Sequence, residues 1–283
     1  MFMRVNSKCA HQVRPPPADP ILASQYAAGN MLEVHSPSPP LARYVETLWY
    51  EDGDQAVRHT QRVLPGGGFM LVIELTGGPG VVIGMRSRYI EINPAAIHSV
   101  MGVVFRPGGA RAFFDIPADE FSGHVVTLDL LWGCAVHGLR DRLWEAPTVA
   151  DKFRLLEREL QRRVQPRVGL HPAVRYGLTE FHRGPRLRGV LEVIRDAGLS
   201  RRRFAQLFRE QVGMTPKRYC RLHRFHNVTR QICAGEAVDW ADLALAGGYS
   251  DQAHLSHEFR EFSGVSPSAF LAERRSCGQT RVD

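Results

Sequence analysis

Two stretches decide the reading of this chain: VLEVIRDAGLSRRRFAQLFREQVGMTPKRY at residues 190–219 and WADLALAGGYSDQAHLSHEFREFSGVSPSAF at residues 240–270. Each opens on apolar residues at helical spacing and stops at Gly198-Leu199 or Gly248-Tyr249. Ser200 and Ser250 follow, where a hydroxyl can accept a hydrogen bond from the free N–H groups that begin a helix. A second helix is expected next. Its apolar positions are Phe204, Leu207, Phe208 and Val212 in the first stretch and Leu255, Phe259 and Phe262 in the second, so the opposite face is left polar. Gly213 and Gly264 close these helices. Thr215-Pro216 and Ser266-Pro267 then start new ones, each with a cap and a proline at the first helical position, where the missing N–H costs nothing. Helix, tight glycine turn and amphipathic helix make a helix-turn-helix unit. Two copies about 50 residues apart, joined by a basic helix from Pro216 to near Ala234, indicate duplication.

Charge agrees with the pattern. The 283 residues carry 36 Arg and Lys against 29 Asp and Glu, but unevenly. Residues 1–150 hold 12 basic and 14 acidic side chains, whereas residues 151–283 hold 24 and 15. Between Arg195 and Arg230 ten basic residues meet two acids, Asp196 and Glu210. A basic segment of this density attracts a polyanion, because neutralising phosphates releases their condensed counterions.

The rest of the sequence reads as a second domain. Residues 1–40, with Pro15-Pro16-Pro17, Pro20, Pro37, Pro39 and Pro40, are expected to be mostly a disordered tail. Residues 41–135 contain short apolar runs (YVETLWY, FMLVIEL, VVIGM, SVMGVVF) separated by glycine and proline turns, the pattern of a small β-barrel or sandwich. Helical periodicity begins after about residue 135, and Val149 to Val164 is amphipathic, so residues 136–165 form a helical connector that could dimerise. Residues 166–275 are assigned to the duplicated unit and 276–283 to a flexible tail, giving an α+β chain overall. Trp49, Tyr50, Phe69, Phe105, Phe113, Phe114 and Trp132 are expected in the core rather than around a ligand.

Several function classes are excluded or disfavoured. The N-terminus has no apolar signal segment, and no run is long enough to span a membrane. Cys9, Cys134, Cys220, Cys233 and Cys277 are scattered and odd in number, which fits neither a disulfide framework nor a zinc site and is compatible with a cytoplasmic protein. The histidines lack metal-ligand spacing. Arg106-Pro107-Gly108-Gly109-Ala110-Arg111 lacks the phosphate-loop pattern and reads as a strand-to-helix turn. No nucleophilic triad can be assembled, so the chain is read as a non-enzyme without a cofactor or metal.

The two copies, their spacing and the ending GYSDQAHLSHEFREFSGVSPSAF resemble the DNA-binding domain of the AraC/XylS family of bacterial regulators, over about residues 165–275. RYVETLWY, the turn from Leu64 to Gly68 and VVFRPGGARAFF are similar to a sensor-like domain often found ahead of it. The resemblance implies two helical subdomains on one linker helix, each placing a recognition helix in successive major-groove segments of one double-stranded DNA face, roughly 34 Å apart. The first copy departs from the family pattern: Ile194 stands where the second has the small Ala244, and Gly189 is a poor helix starter.

On this reading Arg202 and Gln206 of the first helix, and Gln252, Ser256 and His257 of the second, are the base-reading candidates. Arg matches the two acceptors of guanine, Gln the donor–acceptor edge of adenine, and Ser either. Ser200, Arg201, Ser250, Lys217, Arg218, Arg221 and Arg224 are the candidates for backbone contact and positioning. Further partners allowed are a small-molecule effector at the N-terminal domain, RNA polymerase and a second copy of the chain. The alternative is an N-terminal enzymatic or protein-interaction module tethered to DNA by the same C-terminal domain.

Overall fold

The computed structural model describes residues 3–5, 31–52, 61–78, 80–92, 99–165, 169–183, 189–234 and 239–279. The first half is built on strands: β1 (Met3–Val5), β2 (Met31–His35), β3 (Val45–Asp52), β4 (Gln61–Val63), β5 (Met70–Glu74), β6 (Val81–Ile83), β7 (Ile90–Ile92), β8 (Ser99–Phe105) and β9 (Val125–Thr127). A one-turn helix, α1 (Pro39–Ala42), separates β2 from β3. Seven strands form one antiparallel sheet in the order β1-β2-β3-β8-β5-β6-β9, while β4 and β7 form a separate ladder. The barrel or sandwich expected from the sequence is therefore an open sheet, whose outer strands β1 and β9 do not pair with each other among the described residues. Closure needs strands long enough to tilt and stagger around an axis, and β6 and β9 span three residues each.

The sheet begins earlier than expected. Residues 31–35, inside the stretch read as tail, are β2 and pair along β3 from Met31↔Asp52 to His35↔Leu48. Apart from Met3–Val5, the residues before 31 lie outside the described set.

Side-chain alternation gives the sheet two apolar faces. Leu48 and Tyr50 of β3, Leu71 and Ile73 of β5, and Met101, Val103 and Phe105 of β8 enter the main core. Trp49, Val100 and Val104 face the other way and pack with Leu32. Gly102 lies opposite Trp49 in the ladder, and a Cβ there would stand 2.0 Å from the indole, so the glycine is what lets the ring lie across the strand. The inner face is closed by helices instead of a second sheet. Turns at Gly109–Ala112 and Ala118–Phe121 bring in Phe113, Phe114 and Phe121, and α2 (Leu128–Trp132), α3 (Ala135–Glu145) and α4 (Val149–Arg163) follow. Thr148 caps α4 by accepting from the Asp151 N–H, and α4 buries Phe153, Leu156 and Leu160, with His35 stacked on Phe153 at 4.9 Å. All seven aromatic residues expected in the core are buried.

The second half is helical: α5 (Pro172–His182), α6 (Val190–Asp196), α7 (Arg201–Val212), α8 (Pro216–Cys233), α9 (Trp240–Ala246), α10 (Gln252–Ser263) and α11 (Pro267–Gln279). The expected difficulty at Gly189 does not arise. That residue sits just outside α6 and donates its N–H to Glu192 Oε2 at 3.3 Å, and glycine is tolerated at a cap position. Ile194 and Ala244 are both buried in the two scaffold helices. Helix α8 runs between the two subdomains with Tyr219, Leu222, Phe225, Val228 and Ile232 buried along it.

Candidate nucleic-acid interface

Helix α7 starts where the sequence reading placed it, with Ser200 Oγ accepting from the Arg203 N–H at 3.3 Å. Helix α10 starts one residue later than expected. Its cap is Asp251, which accepts from the His254 N–H at 2.7 Å, while Ser250 donates its hydroxyl to the Asp251 carboxylate. The second turn is therefore one residue longer than the first. Phe204 then matches Leu255, Phe208 matches Phe259 and Gly213 matches Gly264, and all four aromatic or aliphatic side chains are fully buried. Both glycines adopt the left-handed conformation, φ 99° and 80°, that ends a helix without a Cβ penalty. Thr215 and Ser266 cap the following helices by accepting from Arg218 N and Ala269 N.

With this register the outward residues can be placed. Arg201, Arg202 and Arg203 are exposed at the start of α7, and Gln252, Ala253 and His257 are exposed on α10, with Ser256 half-buried. Gln206 is exposed but tied within its helix: its Nε2 donates to Glu210 at 2.8 Å and its Oε1 accepts from Arg203 at 3.3 Å. Ser250 Oγ also contacts His254 Nδ1 at 3.1 Å, so the second turn is braced by a small polar network.

The positioning candidates divide. Lys217 is exposed on the first turn of α8. Arg218 reaches the other domain, donating to Ser87 Oγ. Arg221 bonds Glu258 at 2.7 Å and also pairs with Glu261, and Arg224 meets Glu258 at 3.3 Å. Glu258 is 3% exposed, so these two arginines compensate a buried carboxylate and hold α8 against α10. Glu258 occupies the position that Leu207 fills in the first copy, a substitution the apolar pattern could not have disclosed.

Sequence reasoning missed the contacts by which the β-domain grips the C-terminal ends of α7 and α10. Gly213 abuts Met85, Phe69 and the Ala118 carbonyl. Tyr89 N–H donates to the Phe262 carbonyl at 2.9 Å, and the Tyr89 ring packs at Gly264. Arg62 bonds Glu273 of α11 at 3.0 Å. On the linker helix, His226 Nε2 meets the Pro65 carbonyl at 2.7 Å. No local periodicity announces such contacts. The polar N-terminal halves of α7 and α10 are left open.

A cleft of about 260 Å³ lies along this joint. The sheet side contributes Leu64, Met70 and Val104 with Glu46, Arg86 and Arg106, and the helical side contributes Tyr219, Leu222 and the histidines 182, 223 and 226. Burial, and then the neighbouring His182, His226 and Arg230, push the His223 pKa down to about 3, so its ring is neutral at physiological pH. Burial likewise pushes the Cys220 thiol up to about 12, which leaves it unreactive. Among the described residues no group of three or more His, Cys, Asp or Glu could hold a metal ion, and no helix is long and apolar enough to cross a membrane.

Comparison with known proteins gives two separate matches along the chain. Residues 193–273 match a family described as a helix-turn-helix domain, and residues 33–127 match a domain of unknown function, DUF6597. The probable transcriptional regulator LumQ of Photobacterium leiognathi is 31% identical over 81 residues, which cover 29% of this chain and 32% of LumQ. The chain thus matches about a third of the length of that relative. Among solved structures, ToxT from Vibrio cholerae aligns over 86% of this chain and 97% of its own, at 12% identity and a TM-score of 0.44. The DNA-binding domain of AdpA, solved with a target DNA, aligns over 39% of this chain and 98% of its own, at 22% identity and a TM-score of 0.35. Residues 193–273 are a helix-turn-helix domain of the AraC type, carried behind a DUF6597 domain at residues 33–127.

Proposed function

We propose that this chain is a sequence-specific DNA-binding transcription regulator acting in the cytoplasm, which reads two successive major-groove segments with α7 and α10. One observation carries the reading: both recognition helices are anchored at their C-terminal ends on the β-domain, while their polar N-terminal halves stay exposed. That is the end a helix-turn-helix unit presents to base edges. Arg202, Gln206, Gln252, Ser256 and His257 are the base-reading set, and Ser200, Arg201, Ser250, Lys217 and Arg218 position the duplex. Arg221 and Arg224 act indirectly, by holding α10 in place through Glu258.

Control comes from the N-terminal half. A small effector entering the cleft between the sheet and α8 would touch the β-domain and the linker helix together, and so bias how the two recognition helices are presented. The cleft's imidazoles are engaged with each other, with Tyr219 and with backbone, as in a binding site rather than a nucleophile's surroundings.

Selection of bound sites from random duplex DNA with the full chain tests the reading. The expected product is a two-part motif whose halves lie about 10–10.5 base pairs apart, one helical turn. Recovery of no enriched sequence at moderate salt would overturn it.

A further inference from the structure

A second groove at the domain joint shares one residue, Arg218, with the function proposed above and is otherwise not used by it. It has a volume of about 490 Å³ and lies between the β6–β7 connection, the turn at Ala118–Phe121, the end of α7 and the start of α8. Four guanidinium groups line it, from both domains: Arg86 and Arg88 on the connection, Arg209 on α7 and Arg218 on α8. Asp119 is the carboxylate among its lining residues. Arg218 donates to Ser87 Oγ, whereas the Arg86 Nε is buried without a hydrogen-bond partner and burial lowers the pKa of this guanidinium. Arg86 is thus partly buried, with its Nε atom unpartnered among the described residues. Helix α8, 18 residues long, also opens onto the groove at Thr215 and adds the partial positive charge of its N-terminus.

Like charges drawn together across a joint between two domains oppose the joint. An anion carrying more than one charge removes that opposition, and the planar fork of arginine matches phosphate oxygens in particular. We propose that this groove is a binding site for a small phosphate-bearing molecule, one carrying a phosphate or diphosphate group, which ties the β-domain to the end of the first recognition helix. The binding involves none of the proposed base-reading residues and shares only Arg218 with the proposed duplex-positioning set. Only its consequence, a stiffer presentation of α7, rests on the DNA reading.

Calorimetry on the full chain at 0.15 M total ionic strength (the physiological screening regime), with inorganic pyrophosphate as probe and citrate as a control of comparable charge, tests the proposal. Saturable pyrophosphate binding is expected, at least about tenfold tighter than citrate, a difference of about 1.4 kcal/mol. The double variant Arg88→Gln/Arg209→Gln should lose at least about tenfold of it. Both side chains lie outside the base-reading set. Without pyrophosphate the variant should melt at the same temperature as the parent or higher, because two repelling charges are gone. Equal binding of citrate and pyrophosphate, or undiminished binding by the double variant, would overturn the site. So would a variant that keeps pyrophosphate but loses DNA affinity, since the arginines would then be contacts to DNA phosphates. Absence of any DNA site in the selection experiment leaves this measurement intact.

Discussion

At the scale of single residues, exposure and partners separate the side chains proposed to read from those that hold. Arg202 and Gln252, proposed above as base readers, are exposed at the starts of α7 and α10. Arg202→Ala and Gln252→Ala should each lower discrimination between the selected site and a one-base variant by about 1–3 kcal/mol, read by competition binding. Lys217→Ala should instead weaken every duplex alike and flatten the dependence of affinity on salt. Identical losses for selected and scrambled DNA in the Gln252 variant would remove α10 from the groove. Glu258 poses the complementary case. Its carboxylate is buried between Arg221 and Arg224 at a position where the first copy has Leu207. Glu258→Leu should therefore change unfolding free energy by less than about 1–2 kcal/mol, since a well-packed apolar group can replace a buried ion pair. Arg221→Met/Arg224→Met, which strands the carboxylate, should cost about 3–5 kcal/mol in urea unfolding. If the leucine variant is the worse of the two, the triad contributes more than compensation of its own burial.

At the scale of elements, legibility in the sequence follows how local the determining chemistry is. Helices α7, α8, α10 and α11 were readable because each start and stop is written in adjacent residues: Ser200, Thr215-Pro216 and Ser266-Pro267 at the starts, and Gly213 and Gly264 at the ends. The one slip, Ser250 for Asp251, arose because two capping residues stand side by side and the charged one takes the N–H. Asp251→Ala should accordingly destabilise the second subdomain more than Ser250→Ala does, as measured by thermal or urea unfolding. Equal costs would mean that Ser250 carries the cap after all. The strands were legible as strands, but their order was not. β3 pairs with β8 across about 50 residues of chain, and short apolar runs do not specify which run lies beside which. Residues such as Val45, Leu71 and Phe105 say that a face is buried; they do not say whether a helix or a sheet covers it. The candidate site divides in the same way. The exposed face at Arg201, Arg202 and Gln252 could be read from periodicity, while Arg86 and Arg88 reach the groove only through the folding of the β6–β7 connection onto α7 and α8.

At the scale of the whole molecule, the joint between the halves carries a proton-linked weakness. His223 takes up a proton near pH 6.5 when unfolded, but only near 3 when folded, because burial and then His182, His226 and Arg230 oppose its charge. Between those values the unfolded chain holds more protons, so stability falls as pH is lowered through 6.5 and is unaffected by this group above it. The sheet side of the same cleft adds Arg86 and Arg106 against the single carboxylate Glu46, so a charged His223 would meet a cationic surface there as well. The limiting slope is about 1.4 kcal/mol per pH unit, reduced in practice because the ring is partly exposed. From pH 7 to pH 5.2 the parent should therefore lose about 1 kcal/mol more unfolding free energy than His223→Asn, with denaturant midpoints as the readout. Most carboxylates titrate below this window and act alike in both proteins. The joint, more than the helical subdomains, is where the loss should appear. Hydrogen exchange at pH 5.2 should rise first at the amides of Tyr89 and of the first turns of α8, which face the β-domain, and later at those inside α10. Parallel losses in parent and variant would place the acid sensitivity elsewhere and leave His223 a neutral packing residue of the linker helix.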